Sequence, residues 1–134
     1  HTTMPTDALT RLRDTMVETE AYGFNKVRDE QMALGQKERA LLTDYGFISV
    51  AAEGFKAPGV VVSFTTDPGL QSSKKFLEVG LQTAAGVPLQ CDEGPDFMTF
   101  RLGLFGLDKW HDSDAAVASL EKALAVVAPQ TTTA

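Results

Sequence analysis

Apolar and polar side chains alternate along residues 97–106, which is the pattern of a β-strand with one buried face. One face of this strand is predicted to carry Met98, Phe100, Leu102 and Leu104, and the other face Thr99, Arg101 and Gly103. Arg101 therefore lies in the middle of an otherwise apolar strand. Because an unpaired buried charge is costly, its guanidinium needs an acidic neighbour or an anionic ligand.

The first third of the chain has the spacing of a long amphipathic helix. Leu9, Leu12 and Met16 recur at intervals of three and four residues, which indicates a helical stripe. We predict a helical arm over residues 7–44, bent or broken near Gly23 and ended by a left-handed Gly46. The charged residues in its second half are interpreted as a solvated face: Lys26, Arg28, Asp29, Glu30, Lys37, Glu38 and Arg39.

Short strands and helices are predicted for the rest of the chain. Strands are favoured over residues 47–51 and 60–65, and Pro88 marks residues 87–90 as an edge piece. A helix is predicted over residues 72–84, with Ser72 or Ser73 as its cap. Loops follow at residues 92–96 and after Gly106.

The last helix has the clearest helical periodicity in the chain. It is predicted to start at Asp112 or Ser113, and its apolar stripe consists of Val117, Leu120, Leu124 and Val127. The order of elements predicts an α+β domain over residues 7–129, with a lead-in at 1–6 and a polar tail at 130–134. We expect a small, largely antiparallel sheet with helices on one face, preceded by the helical arm. The face that bears Arg101 would then need another cover.

Length, charge and composition narrow the functional classes to which the protein can belong. The 134 residues are enough for one domain, and the net charge of −6 argues against a nucleic-acid binder. No apolar run approaches the roughly 18 residues of a membrane helix. The sequence shows no basic segment followed by an apolar one, so no signal peptide is expected. The single cysteine, Cys91, fits a reducing compartment, so a cytoplasmic protein is expected.

Few side chains are arranged for chemistry. His1, His111 and Cys91 lack the spacing of metal ligands, so no metal site is expected. Cys91 is interpreted as an ordinary thiol whose pKa the neighbouring Asp92 would raise. Ser72 and Ser73 are interpreted as helix caps rather than an anion cradle. The acids of the 92–96 loop are interpreted as solvated: Asp92, Glu93 and Asp96.

None of the seven lysines stands in the apolar setting at the end of a sheet that would lower its pKa. Arg101 therefore remains as the candidate. One interpretation is an ion pair with an acidic residue such as Glu78 or Asp108. The other is a bidentate fork for a substrate carboxylate. The sequence pattern leaves both open.

The segment Phe-Arg-Leu-Gly-Leu-Phe-Gly at residues 100–106 resembles a signature of class V aminotransferases. In the alanine–glyoxylate and serine–pyruvate group of these fold type I, pyridoxal-phosphate (PLP) enzymes, a similar strand precedes the final helix. The start, His-Thr-Thr-Met-Pro-Thr, is similar to the group's His-Thr-x-Pro stretch, which leads into a long interdomain helix. The resemblance covers about residues 2–128.

The resemblance implies that the chain is the C-terminal small domain of a homodimeric, PLP-dependent aminotransferase. Arg101 would grip the α-carboxylate of the amino or keto acid, and Thr2 would reach the cofactor phosphate of the neighbouring subunit. The Schiff-base lysine would belong to a large domain upstream, so the chain alone is expected to be inactive and to bind no PLP. The alternative is a free-standing α+β module for ligand binding or protein interaction, without catalysis.

Overall fold

Two long helices begin the chain and meet at Gly23. The structure is a computed structural model, and it describes residues 3–128 except for the side chains of Leu107 and Trp110. Helix α1 spans Thr6–Tyr22 and helix α2 spans Phe24–Asp44. Gly23 separates them with a φ of 101°, a conformation that glycine adopts without the penalty of a Cβ. The predicted arm and its break are therefore confirmed.

Gly46 ends the arm as predicted. Its φ is 83°, and the backbone N–H of Phe47 donates back to the carbonyl of Leu42 at 2.9 Å. This return bond satisfies one of the carbonyls that a helix leaves unpaired at its end.

Three antiparallel strands form the sheet, in the order β1, β3, β2. Their bounds are Val60–Phe64 for β1, Ala84–Ala85 for β2 and Thr99–Gly103 for β3. The predicted edge piece at 87–90 is wrong, because the edge strand is formed by Ala84 and Ala85. The predicted strand at 47–51 is reduced to a single bridge between Ser49 and Ser63.

The predicted helix over 72–84 is also wrong. Two short helices replace it, α3 at Pro68–Gln71 and α4 at Lys74–Glu78. The cap of α3 is Asp67, whose carboxylate accepts the N–H of Gly69 at 2.7 Å. Ser73 stands at the N-cap position of α4, but it interrupts the helical path with a φ of 64°, and its side chain makes no capping hydrogen bond. Ser72 lies at the C-cap of α3.

The end of the chain is more helical than predicted. Helix α5, Leu107–His111, occupies the stretch after Gly106 that was predicted as a loop. Helix α6 spans Ser113–Val127. Its cap is Asp112, whose carboxylate accepts the N–H of Ala115 at 2.9 Å. This confirms the predicted start of the last helix.

The core lies between one face of the sheet and the helices. The predicted alternation of β3 holds for Phe100, Leu102 and Leu104, which are all buried. Phe100 packs edge-on against Phe47 and at a tilt against Phe76. From the helices, α2 and α6 contribute the other large part of the core: Leu34, Leu42, Leu120, Ala123 and Leu124. The structure is thus the expected α+β fold.

Two apolar surfaces remain open. The sheet face that carries Arg101 also carries Val60 and Phe64, which are 38% and 40% exposed, and the neighbouring Ile48 is 70% exposed. Helix α1 buries no residue. Its apolar stripe faces outward: Leu9, Leu12, Met16 and Val17. Among residues 3–128, no helix has both the length and the apolar character needed to cross a bilayer.

Candidate functional site

Arg101 lies at the centre of the sheet, on the middle strand β3. It pairs across the strands with Val62 of β1 and Ala84 of β2. Its side chain is half-buried, and its Nε donates a 2.8 Å hydrogen bond to the backbone carbonyl of Ala85. This bond fixes one edge of the guanidinium plane against the edge strand.

The interpretation of Arg101 as the partner of Glu78 or Asp108 in an ion pair is wrong. In the described part of the chain, no carboxylate lies within 4 Å of the Arg101 guanidinium. Asp108 lies in α5 and is 3.4 Å from the Nζ of Lys109 instead. Glu78 is exposed on α4, which belongs to the helical layer.

The hydrogen bond to Ala85 uses only Nε. Neither Nη1 nor Nη2 of Arg101 donates to any atom of the described residues. These two nitrogens are the pair that would grip a carboxylate end-on with two parallel hydrogen bonds. The strand therefore presents an oriented cation with two unused donors, on an apolar surface.

Gly86 shapes the edge of this site. Its backbone lies so close to β3 that a Cβ built on it would stand 1.8 Å from the carbonyl oxygen of Thr99. The contact explains why Thr99 is 2% exposed although it belongs to the outer face of the sheet. Without a side chain, Gly86 lets the edge strand, with the Ala85 carbonyl, approach the strand of Arg101.

The loop after the edge strand is tied by Glu93. Its carboxylate accepts the backbone N–H groups of Gln90 and Cys91 at 2.8 and 2.7 Å. These bonds lower the pKa of Glu93 to about 2, because they favour the charged form. The expectation that all three acids of this loop are only solvated is therefore wrong for Glu93.

Cys91 is exposed and free. Desolvation and then the Glu93 carboxylate raise the pKa of its thiol. The direction agrees with the expectation, but the responsible acid is Glu93 rather than Asp92. A raised pKa leaves less thiolate at neutral pH, which disfavours a nucleophilic role.

The lysines are engaged mostly with acids. Carboxylates lie within 4 Å of five of the seven in the described part of the chain: Lys26, Lys37, Lys56, Lys75 and Lys109. Lys26 also lies 4.1 Å from the centre of the Tyr22 ring. The other two, Lys74 and Lys122, are exposed, and none of the seven is buried. A Schiff-base lysine needs apolar surroundings that favour its neutral form, so the described residues do not fit a PLP attachment site.

The two histidines and Thr2 complete the predicted candidates. His111 ends α5, with its Nε2 3.8 Å from a Glu18 carboxylate oxygen and its ring 5.0 Å from that of Tyr22. It thus joins α5 to the helical arm rather than flanking a helix alone. Among residues 3–128, no group of three or more potential ligands is placed to hold a metal ion. Thr2, the predicted cofactor contact, lies outside the described residues, and so does His1.

Glu38 is a further candidate residue, and its burial was not predicted from the sequence. It was assigned to a solvated face, yet it is 3% exposed. Burial raises its pKa from 4.5 to about 7, although the charge of Lys109 opposes this shift. A signal was present, because Glu38 lies midway between the buried Leu34 and Leu42 at helical spacing.

No family model matches the chain, and no curated protein matches it.

Proposed function

We propose that this chain binds the α-carboxylate of a small amino or 2-oxo acid through Arg101, as the C-terminal small domain of a PLP-dependent transaminase of the alanine/serine–glyoxylate type. The observation that carries the proposal is the guanidinium itself, held by Ala85 on one edge and unused on the other. The resemblance of residues 100–106 and of the chain's start to class V aminotransferases supplies the reaction class.

The apolar surroundings of Arg101 support a site that a second domain would cover. Val60, Phe64 and Ile48 leave the outer sheet face apolar and partly exposed. A second domain against this face would exclude water from the arginine and its ligand. Charge-assisted hydrogen bonds strengthen when water is excluded, because the effective dielectric constant falls.

The role of Arg101 in this proposal is positional. A bidentate grip fixes the carboxylate plane and so the direction of the substrate's Cα–H bond. PLP, when bound, supplies the electron sink for the amino transfer. Since the described lysines do not fit its attachment, the cofactor would be held by the large domain, in a homodimer.

The coding sequence upstream of residue 1 tests the assignment at low cost. We expect it to encode a large α/β domain with a lysine for the cofactor. A start codon directly before His1 would contradict the assignment and leave the alternative, a free-standing anion-binding module.

Two assays follow. The intact protein should move the amino group of alanine or serine to glyoxylate, measured as 2-oxo acid product in the presence of PLP. The 134-residue chain alone should form no stoichiometric adduct with PLP that borohydride can trap. A single trapped lysine in the chain would contradict the assignment of the cofactor to another domain.

A further inference from the structure

The apolar stripe of α1 remains uncovered by the described residues. Its members are between 46% and 61% exposed: Leu9, Leu12, Met16 and Val17. Phe24 borders the same open groove beyond Gly23 and is 66% exposed. A continuous apolar face along one side of a helix is typical of a helix that packs against a partner.

The contacts that hold α1 to the rest of the chain leave this stripe free. Glu18 lies 3.8 Å from His111 of α5, and the Tyr22 hydroxyl donates to Glu30 of α2 at 2.8 Å. Since each residue turns the helix by about 100°, Glu18 lies about 160° around the axis from Met16, and Tyr22 about 120°. The stripe therefore faces away from α2 and α5.

The spacing along α1 is that of one half of a two-helix pair. Intervals of three, four and three residues separate Leu9, Leu12, Met16 and Thr19, as they separate the core positions of a coiled coil. Two antiparallel copies of α1 can place Leu12 of each copy against Met16 of the other, and Leu9 against Thr19. The Thr19 hydroxyl already donates to the carbonyl of Thr15 at 2.7 Å, so it can be covered without losing its partner.

The charges beside these core positions are self-complementary. Arg13 follows Leu12 and Glu20 follows Thr19, so both flank the core on the same side, where charged residues of paired helices meet. The register that faces Leu12 with Met16 also brings Arg13 of each copy beside Glu20 of the other. The same contact is then formed twice across a two-fold axis.

A parallel pair of α1 helices gains no such contact. In that order Arg13 and Glu20 would face Ala8 and Thr15 of the other copy, which are uncharged. Within its own chain Arg13 contacts only the neighbouring Asp14 among the described acids within 4 Å, at 2.6 Å, and such an exposed pair is weak. The charges therefore favour the antiparallel order.

We propose that α1 pairs with α1 of a second copy of this chain, in antiparallel order about a two-fold axis. The apolar stripe supplies the contact area, and the two Arg13–Glu20 pairs fix the direction. A 17-residue helix is about 25 Å long, so the interface is small and the dimer is weak. The surface does not include Arg101, and the proposal does not rest on the proposed transaminase reaction.

Sedimentation equilibrium of the 134-residue chain tests the pairing. We expect a monomer–dimer equilibrium with a Kd on the order of 10–100 µM. Met16→Glu places a charge in the middle of the stripe and should weaken the dimer at least about tenfold. A dimer that Met16→Glu leaves unchanged would overturn the proposal. So would a chain that stays monomeric up to about 1 mM, which would assign the stripe to another domain or another protein.

Charge-reversal variants test the direction of the pair. Arg13→Glu sets like charges against each other at both contacts and should weaken the dimer roughly tenfold. Adding Glu20→Arg to Arg13→Glu rebuilds both pairs with the charges exchanged, so the double variant should dimerise like the parent.

Arg11→Glu is the matched control for Arg13→Glu. It makes the same change of charge at an exposed position, about 160° around the helix from Leu9, and should leave the Kd of the dimer unchanged. Circular dichroism checks that each variant is folded, which is expected because all the substituted side chains are exposed. A double variant that fails to recover the affinity, or an equal loss in Arg11→Glu, would contradict the antiparallel contact.

Discussion

Arg101 is held in place by a backbone atom: its Nε donates a 2.8 Å hydrogen bond to the carbonyl of Ala85. A carbonyl partner orients the guanidinium without neutralising its charge. An acidic partner would have occupied the same nitrogens that a carboxylate ligand needs. The short edge strand thus positions the guanidinium and leaves its charge available to a carboxylate ligand.

Gly86 is expected to be essential for this arrangement. An alanine there would place a Cβ 1.8 Å from the carbonyl oxygen of Thr99, so the edge strand would have to move. We expect Gly86→Ala to lower the free energy of unfolding by about 1–3 kcal/mol, the usual cost of overpacking. Urea denaturation measures this change.

Gly94→Ala is the matched control for Gly86→Ala. A Cβ at Gly94 would meet nothing within 4 Å, so this variant should stay within about 0.5 kcal/mol of the parent. Equal stability of the two variants would show that the close approach at Thr99 does not constrain the fold.

Glu38 should make stability depend on pH. Its pKa rises from 4.5 to about 7 on folding, so the folded state binds the proton more tightly than the unfolded state. Stability is therefore highest below pH 4.5 as far as this group is concerned, and falls as the pH rises from 4.5 to about 7. The integrated loss is about 3 kcal/mol.

Glu38→Gln removes this titration. The difference in free energy of unfolding between Glu38→Gln and the parent should grow by up to about 3 kcal/mol between pH 4.5 and pH 7, in favour of the variant. Chemical denaturation at several pH values measures it, with Glu121→Gln as the exposed control. A constant difference across this range would contradict the buried, partnerless state of the carboxyl.

Helix α1 should exchange its amide hydrogens faster than the core. It buries no residue, and a 17-residue helix has marginal stability without packing. Its far end is tied by the 2.8 Å hydrogen bond from the Tyr22 hydroxyl to Glu30 and by the Glu18–His111 contact. In dilute solution we expect protection to rise along α1 towards Tyr22.

Hydrogen exchange followed by NMR measures that gradient. Amides near Val17 should be protected at least about tenfold less than the amide of the buried Leu124 in α6. Tyr22→Phe should reduce protection further at the end of α1. Protection equal to that of α6 along the whole helix would indicate that α1 is packed against a partner.

The sequence predicts best those features that are local and periodic. The alternation of β3, the break at Gly23 and the Asp112 cap each depend on a few neighbouring residues, and the structure confirms them. The helix at 72–84 was wrong because Pro68 and the Asp67 cap start a helix earlier, and Ser73 then interrupts it. The edge strand is only two residues long, which is too short for periodicity to reveal.

The candidate sites depend on contacts between distant residues, which the sequence shows only in part. The sequence pattern singled out Arg101 as a residue in need of an acidic neighbour or an anionic ligand. It could not predict the bond to Ala85, because that partner is a backbone carbonyl, which every residue carries. The ion pair with Glu78 or Asp108 failed because those acids lie away from the guanidinium. Glu38 was hidden among charged neighbours, although its spacing from Leu34 and Leu42 placed it on the buried side of α2.

The carboxylate-binding role of Arg101 is tested most directly by the kinetics of Arg101→Lys in the intact protein. A lysine keeps the charge and loses the two-pronged fork. We predict that kcat/KM for alanine and serine falls by roughly tenfold to a hundredfold. Arg28→Lys, on the exposed side of α2 beside Asp29, should leave kcat/KM unchanged. An Arg101→Lys protein that is folded and retains the full kcat/KM of the parent would contradict the account.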